Sequence, residues 1–136
     1  MRKFPFINLQ QSIILLRIFV AVVFLLHAIV RINGGTINRF ADFLNSKGLV
    51  MGKSMVWCIT IFELLGGALL ALGYLSKWIA LLFILLLVVG IVLIHFDNGW
   101  FVGEHGTGGV EYSVLLIVTL LVIAATDNKD FYKKLR

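Results

Sequence analysis

Six side chains stand out as capable of chemistry in an otherwise apolar chain: Arg17, His27, Glu63, His95, Glu111 and Tyr112. The densest polar stretch is HFDNGWFVGEHGTGGVEY, residues 95–112, which holds two of the 3 histidines (His95, His105) and the acids Asp97, Glu104 and Glu111. Its glycines are Gly99, Gly103, Gly106, Gly108 and Gly109, and it contains no Lys or Arg. A plain connector between apolar runs does not need this concentration of titratable groups. It is expected to cap a site at one end of the molecule. Imidazole and carboxylate together suit a proton-coupled quinone site, where hydrogen bonds hold the ring oxygens and a carboxylate relays protons. His27, His95 and Glu111 are also metal-ligand types, but no HxxxH or HxxEH spacing is present, so no metal centre is expected. No Ser-His-Asp pattern, P-loop or dinucleotide fingerprint occurs either.

The elements that must position these residues are membrane spans. The chain has 136 residues, 60% of them hydrophobic and 14% charged. Its mean hydropathy is +1.02. A water-soluble domain of this length cannot hide that much apolar surface, so the composition marks a membrane protein. Residues 12–32, 54–74, 77–95 and 110–126 are apolar runs, the longer of them matching a hydrocarbon core of ~30 Å. The basic head and first run resemble a signal peptide, but the run is too long and lacks a small-x-small cleavage site. Pro5 precedes every run, so no span carries a proline kink. Cys58 is the single cysteine, which excludes an internal disulfide or a CxxC pair.

Between the first two spans, Ile37, Phe40, Ala41 and Leu44 recur at helical spacing, with Asn38, Arg39, Asp42 and Asn45 opposite. This predicts a short amphipathic helix in the membrane interface. Gly66 and Gly67, one turn after Glu63, predict the close approach of a neighbouring helix. Ser76 is the expected N-cap of the third span. The expected architecture is therefore an all-α, integral-membrane four-helix bundle with an interfacial helix, forming a single domain over residues 1–136.

Four spans place both termini on one side. That side carries Arg2, Lys3, Lys77, Lys129, Lys133, Lys134 and Arg136; the other carries Arg31, Arg39, Lys47 and Lys53. The excess puts both termini in the cytoplasm. The net charge of +5 then reflects topology and contact with anionic lipid rather than nucleic-acid binding. In this frame His95 and Glu111 lie at the outer boundary, His27 about one turn deeper, Glu63 near mid-span and Arg17 in the inner half. An ionisable group on a span costs roughly 2.5–3.5 kcal/mol at the helix centre, so Arg17 and Glu63 are expected to face inward as partners or as a relay. Their depths differ by roughly 9 Å, which requires extended side chains or a bridging water. Arg31 reads as an anchor at the lipid headgroups, Trp100 and Phe101 as belt aromatics, and Glu104 and His105 as solvated loop residues.

The pieces LLRIFVAVVFLLHAIVRI, FADFLNSKGL, ELLGGALLALGYLSKWIALL and IHFDNGWF…GGVEYSVLL, in this order, resemble the DoxX family of small four-helix membrane proteins. The family's usual His-Gly in the first helix is His27-Ala28 here, and its frequent Thr-Arg after the second-span glycines is Ser76-Lys77. The resemblance implies a bacterial or archaeal inner-membrane protein that serves a membrane redox system as an accessory or partner subunit. Family branches are associated with thiosulfate:quinone oxidoreductase, with oxidative and thiol stress, and with quinone and catechol tolerance. Arg17, His27, Glu63, His95 and Glu111 fall on the family's recurrent polar positions. Three functions follow as expectations. One is an accessory subunit that needs a protein partner or a second copy. Another is a quinone-binding subunit with His27, His95, Glu111 and Tyr112 at the ligand and quinone as its cofactor. The third is a small-solute or proton pathway. A self-sufficient enzyme is not visible in the sequence.

Overall fold

A computed structural model describes residues 6–102 and 108–126; the termini and Gly103–Thr107, with Glu104 and His105, lie outside the described residues. The described chain is helical throughout: α1 (Leu9–Asn33), α2 (Ile37–Ser46), α3 (Gly52–Leu72), α4 (Ser76–Gly90) and α5 (Glu111–Thr126). One π-turn, Ile91–His95, and a 3-10 turn, Phe96–Asn98, extend α4. Leu9–Asn33, Gly52–Leu72 and the continuous run Ser76–Asn98 are long and apolar enough to cross a membrane; α5 is equally apolar but has 16 residues. The expected helical membrane bundle is thus the observed one, with the interfacial helix as its fifth α-helix.

α1 begins earlier than the apolar run suggests. The Asn8 side chain accepts a hydrogen bond from the Gln11 backbone N–H at 2.9 Å, and the Gln11 side chain accepts from the Asn8 backbone N–H at 3.0 Å. This reciprocal capping box satisfies two amides that an uncapped helix leaves open. Asn8→Ala is expected to lower stability by about 1 kcal/mol, read as a fall in the melting temperature of the detergent-solubilised protein. No change in melting would mean that the first turn contributes nothing. At α4 the expected cap is absent. Leu75, in the left-handed region (φ 51°), occupies the cap position without a side-chain cap bond, and Ser76 is the first helical residue, buried with an unpaired Oγ.

Burial runs opposite to that of a soluble bundle. Large side chains such as Phe19, Leu26, Leu65, Leu72, Val92 and Leu115 face outward, whereas Ala21, Ala28, Gly66, Gly67, Ala80 and Ser113 are buried. Lipid solvates the large apolar groups, so small residues collect where helices must approach closely. Gly67 is such a point: a Cβ there would lie 2.9 Å from Leu25 Cγ of α1. The central core joins Val20, Phe24, Leu70, Phe83 and Leu120. Phe24 stacks on Phe83 at 3.8 Å between centroids, and Phe62 meets the same ring at 4.8 Å.

In this packing α1 lies between α3 and α5, and α4 runs along α5. The amphipathic α2 folds onto the start of α3, burying Ala41 and Leu44 against Val56. Gly52 permits this, since a Cβ there would overlap the Ala41 carbonyl oxygen, and Asn45 accepts a hydrogen bond from the Gly52 N–H at 2.9 Å. The first turns of α3 are therefore covered by α2 and extend past the end of α1, which sets the register of everything below.

Candidate functional site

Because of that register, Glu63 sits at the level of Arg31. Arg31 donates to both carboxylate oxygens of Glu63, at 2.6 and 3.4 Å, and to Thr60 Oγ1 at 2.9 Å. The Thr60 hydroxyl donates its own hydrogen bond to the Val56 carbonyl at 2.7 Å. The guanidinium also lies 5.4 Å from the centre of the Phe40 ring. One cation thus ties α1, α2 and α3 together, and Glu63 is almost fully enclosed.

The expected Arg17–Glu63 pair does not form. Arg17 lies at the other end of α1, with its guanidinium against Gly73, the left-handed C-cap of α3 (φ 81°). Its Nε has no hydrogen-bond partner among the described residues. The depth estimate failed because it placed both ends of the second span at the membrane boundary, whereas α2 occupies the first turns of α3. Arg31, which the sequence reading assigned to the headgroups, is instead the partner of Glu63. The available signal was its position four residues after His27, on a neighbouring part of the same helix face.

Above Glu63 lies a cavity of about 320 Å³, within the range of small-molecule sites. His27, Arg31, Glu63, His95, Tyr112 and Ser113 supply its polar lining. The remainder is apolar, with Phe24 from α1, Phe40 and Leu44 from α2, Ile59 from α3, Leu86 and Leu93 from α4 and the π-turn, and Leu116 from α5. Four of the residues singled out from sequence, His27, Glu63, His95 and Tyr112, therefore meet at one cavity. Arg17 and Glu111 do not line it.

Both histidines have a definable tautomer. Nδ1 of His27 lies 2.9 Å from the Val23 carbonyl, and Nδ1 of His95 lies 3.0 Å from the Gly108 carbonyl. A carbonyl oxygen only accepts, so each Nδ1 carries a proton, and the tautomer this selects has Nε2 as its acceptor. The π-turn ends at His95, and the adjoining Gly90, Leu93 and Ile94 line the same cavity. Such turns recur at functional sites; the sequence reading did not anticipate it.

Glu111 holds the strap over the cavity. Its carboxylate accepts from the Val102 N–H at 2.8 Å. The Val110 and Glu111 amides donate to the carbonyls of Gly99 and Trp100 at 3.1 and 3.0 Å. Asn98 reaches the Gly108 carbonyl, the acceptor that also orients His95. Lys47 and Asp97, 3.6 Å apart and exposed, add a weak outer tie.

An apolar helical bundle with spans long enough to cross a membrane, around a mostly apolar cavity with a few convergent polar groups, defines a multi-pass membrane protein. The DoxX family model matches residues 12–96, more than half of the chain, and the chain belongs to that family. It is 28% identical over 124 residues to a Bacillus subtilis (strain 168) protein titled "Putative oxidoreductase CatD", covering 90% of this chain and 84% of that one. No solved structure matches the chain.

Proposed function

We propose that the protein is a ligand-binding subunit of a membrane redox system and that its cavity holds the ring of a quinone-type molecule, preferentially as the hydroquinone. The observation that carries this reading is the pair of imidazoles with Nδ1 tied to backbone carbonyls. Each leaves an Nε2 acceptor, which matches an O–H donor rather than a quinone carbonyl. The Tyr112 hydroxyl supplies a group able to donate to a ring oxygen. Arg31 and Glu63 compensate each other's charge, so the site suits a neutral ligand. In oxidation of the bound hydroquinone, His27 and His95 would accept its two protons. The two electrons would pass to a redox centre in a partner subunit, consistent with the relative titled as an oxidoreductase.

In this reading the protein lies in a bacterial or archaeal inner membrane with both termini cytoplasmic and the cavity at the outer face. The accessory role and the quinone site are then one function. Glu111 serves it indirectly, through the strap.

The test is binding of a short-chain hydroquinone to purified protein in nanodiscs, under argon, with empty discs subtracted. His95→Ala is expected to weaken binding about tenfold, the loss of one good hydrogen bond in an enclosed site. Unchanged affinity in His95→Ala and in His27→Ala would rule the hydroquinone reading out.

A further inference from the structure

Resting on that reading of the cavity, we infer that its ligand carries an apolar chain, and that the chain leaves sideways through a window between α3 and α4 into the bilayer. The two helices meet near their shared turn, where Phe83 packs on Phe62 and faces Gly66. Nearer the strap, Leu93 packs against the cluster of Ala41, Leu44 and Val56 and closes the gap again. Between these two contacts, Ile59 on α3 and Leu86, Val89 and Gly90 on α4 line the cavity. Val89 does so while remaining substantially exposed.

Gly90 is the informative position. Its backbone is ordinary right-handed helix (φ −61°, ψ −41°), so no conformational demand calls for glycine. A Cβ there would meet nothing within 4 Å. The missing side chain therefore leaves open space in the window rather than accommodating a close neighbour. A glycine in a helix interior lowers helix stability by roughly 1 kcal/mol relative to Ala, and no packing contact at this site offsets that.

Elsewhere the described lining comprises α2 and Leu49 on one flank and Val102, Gly108 and Gly109 near His95. Gly90 lies five residues before His95, roughly 7 Å deeper along the helix, toward the apolar part of the lining. A head held by His27, His95 and Tyr112 thus has an apolar exit directly toward hydrocarbon. The ligand class is a membrane-resident hydroquinone or phenol with an alkyl or isoprenoid chain, as distinct from a small water-soluble ring.

The experiment compares two probes with the same ring in protein-loaded nanodiscs: decylubiquinol and its chain-free counterpart, reduced 2,3-dimethoxy-5-methyl-benzoquinone. Gly90→Leu fills the window, and Ile59→Trp fills it from the facing helix, so the conclusion does not depend on one variant folding. Each is expected to weaken decylubiquinol about tenfold more than it weakens the chain-free probe. Equal effects on both probes, or no effect on either, would overturn the window while leaving the cavity as the ring site. Failure of the unsubstituted protein to bind either probe would remove the hydroquinone reading and this inference with it.

Discussion

Glu63→Ala is expected to destabilise the fold by about 3–5 kcal/mol, and Arg31→Ala by a similar amount. The reason is asymmetric. As a pair the two groups neutralise each other at 2.6 Å, both largely enclosed. Removing one leaves the other as an uncompensated, largely enclosed charge. Arg31 also holds Thr60 and lies beside Phe40, so the loss reaches α2 as well. Replacing both, Arg31→Met with Glu63→Leu, should recover most of the stability, because apolar groups of similar volume have no charge to desolvate. Thermal unfolding in detergent of the two singles and the double decides the matter. Singles that unfold like the parent, or a double that loses the sum of both, would contradict the paired description.

Gly109→Ala should open the strap. The residue is buried, and a Cβ would overlap the carbonyl oxygens of Trp100 and Phe101, which are backbone atoms with no rotamer to yield. Those carbonyls lie in the segment that accepts the Val110 and Glu111 amides, so relieving the overlap breaks the ladder. A loss of at least about 2 kcal/mol of local stability is expected. Amide hydrogen exchange at Val102, Val110 and Glu111 should accelerate, with the helices unaffected. The Gly108 carbonyl that orients His95 belongs to the same strap, so ligand retention should fall in parallel. Unchanged exchange at these three amides would show that the strap is not held as described.

The contrast between these variants bears on the proposed mechanism. Glu63 and Arg31 border the cavity but are engaged with each other, so their substitution should act first on stability. Among the described residues, His27 and His95 are each tied by one hydrogen bond through Nδ1, which leaves Nε2 for a ligand. A site of this form positions its bases through backbone carbonyls, so the orientation of His95 depends on the strap and that of His27 on α1 alone.

The sequence by itself determined the class of fold, the helices and the family. Apolar runs long enough for a bilayer allow few arrangements other than a helical bundle, because lipid offers no partner for open backbone groups. The period of Ile37, Phe40, Ala41 and Leu44 marked α2, and Gly67 marked a close helix contact, since both are local or nearest-neighbour properties. It also marked His27, His95, Glu63 and Tyr112 as unusual on an apolar background, and these four line one cavity. Only the tertiary structure decided which groups meet. Partnership between spans depends on their relative register, and that was set by α2 folding over the first turns of α3, a contact with no sequence periodicity of its own. One consequence moved Glu63 from Arg17 to Arg31; the distance along α1 between these arginines, fourteen residues or roughly 21 Å, shows how much a register can change. The tautomers of the histidines, the π-turn before His95 and the role of Glu111 in the strap were equally beyond the sequence, because each depends on where a backbone carbonyl or amide from a distant segment comes to rest.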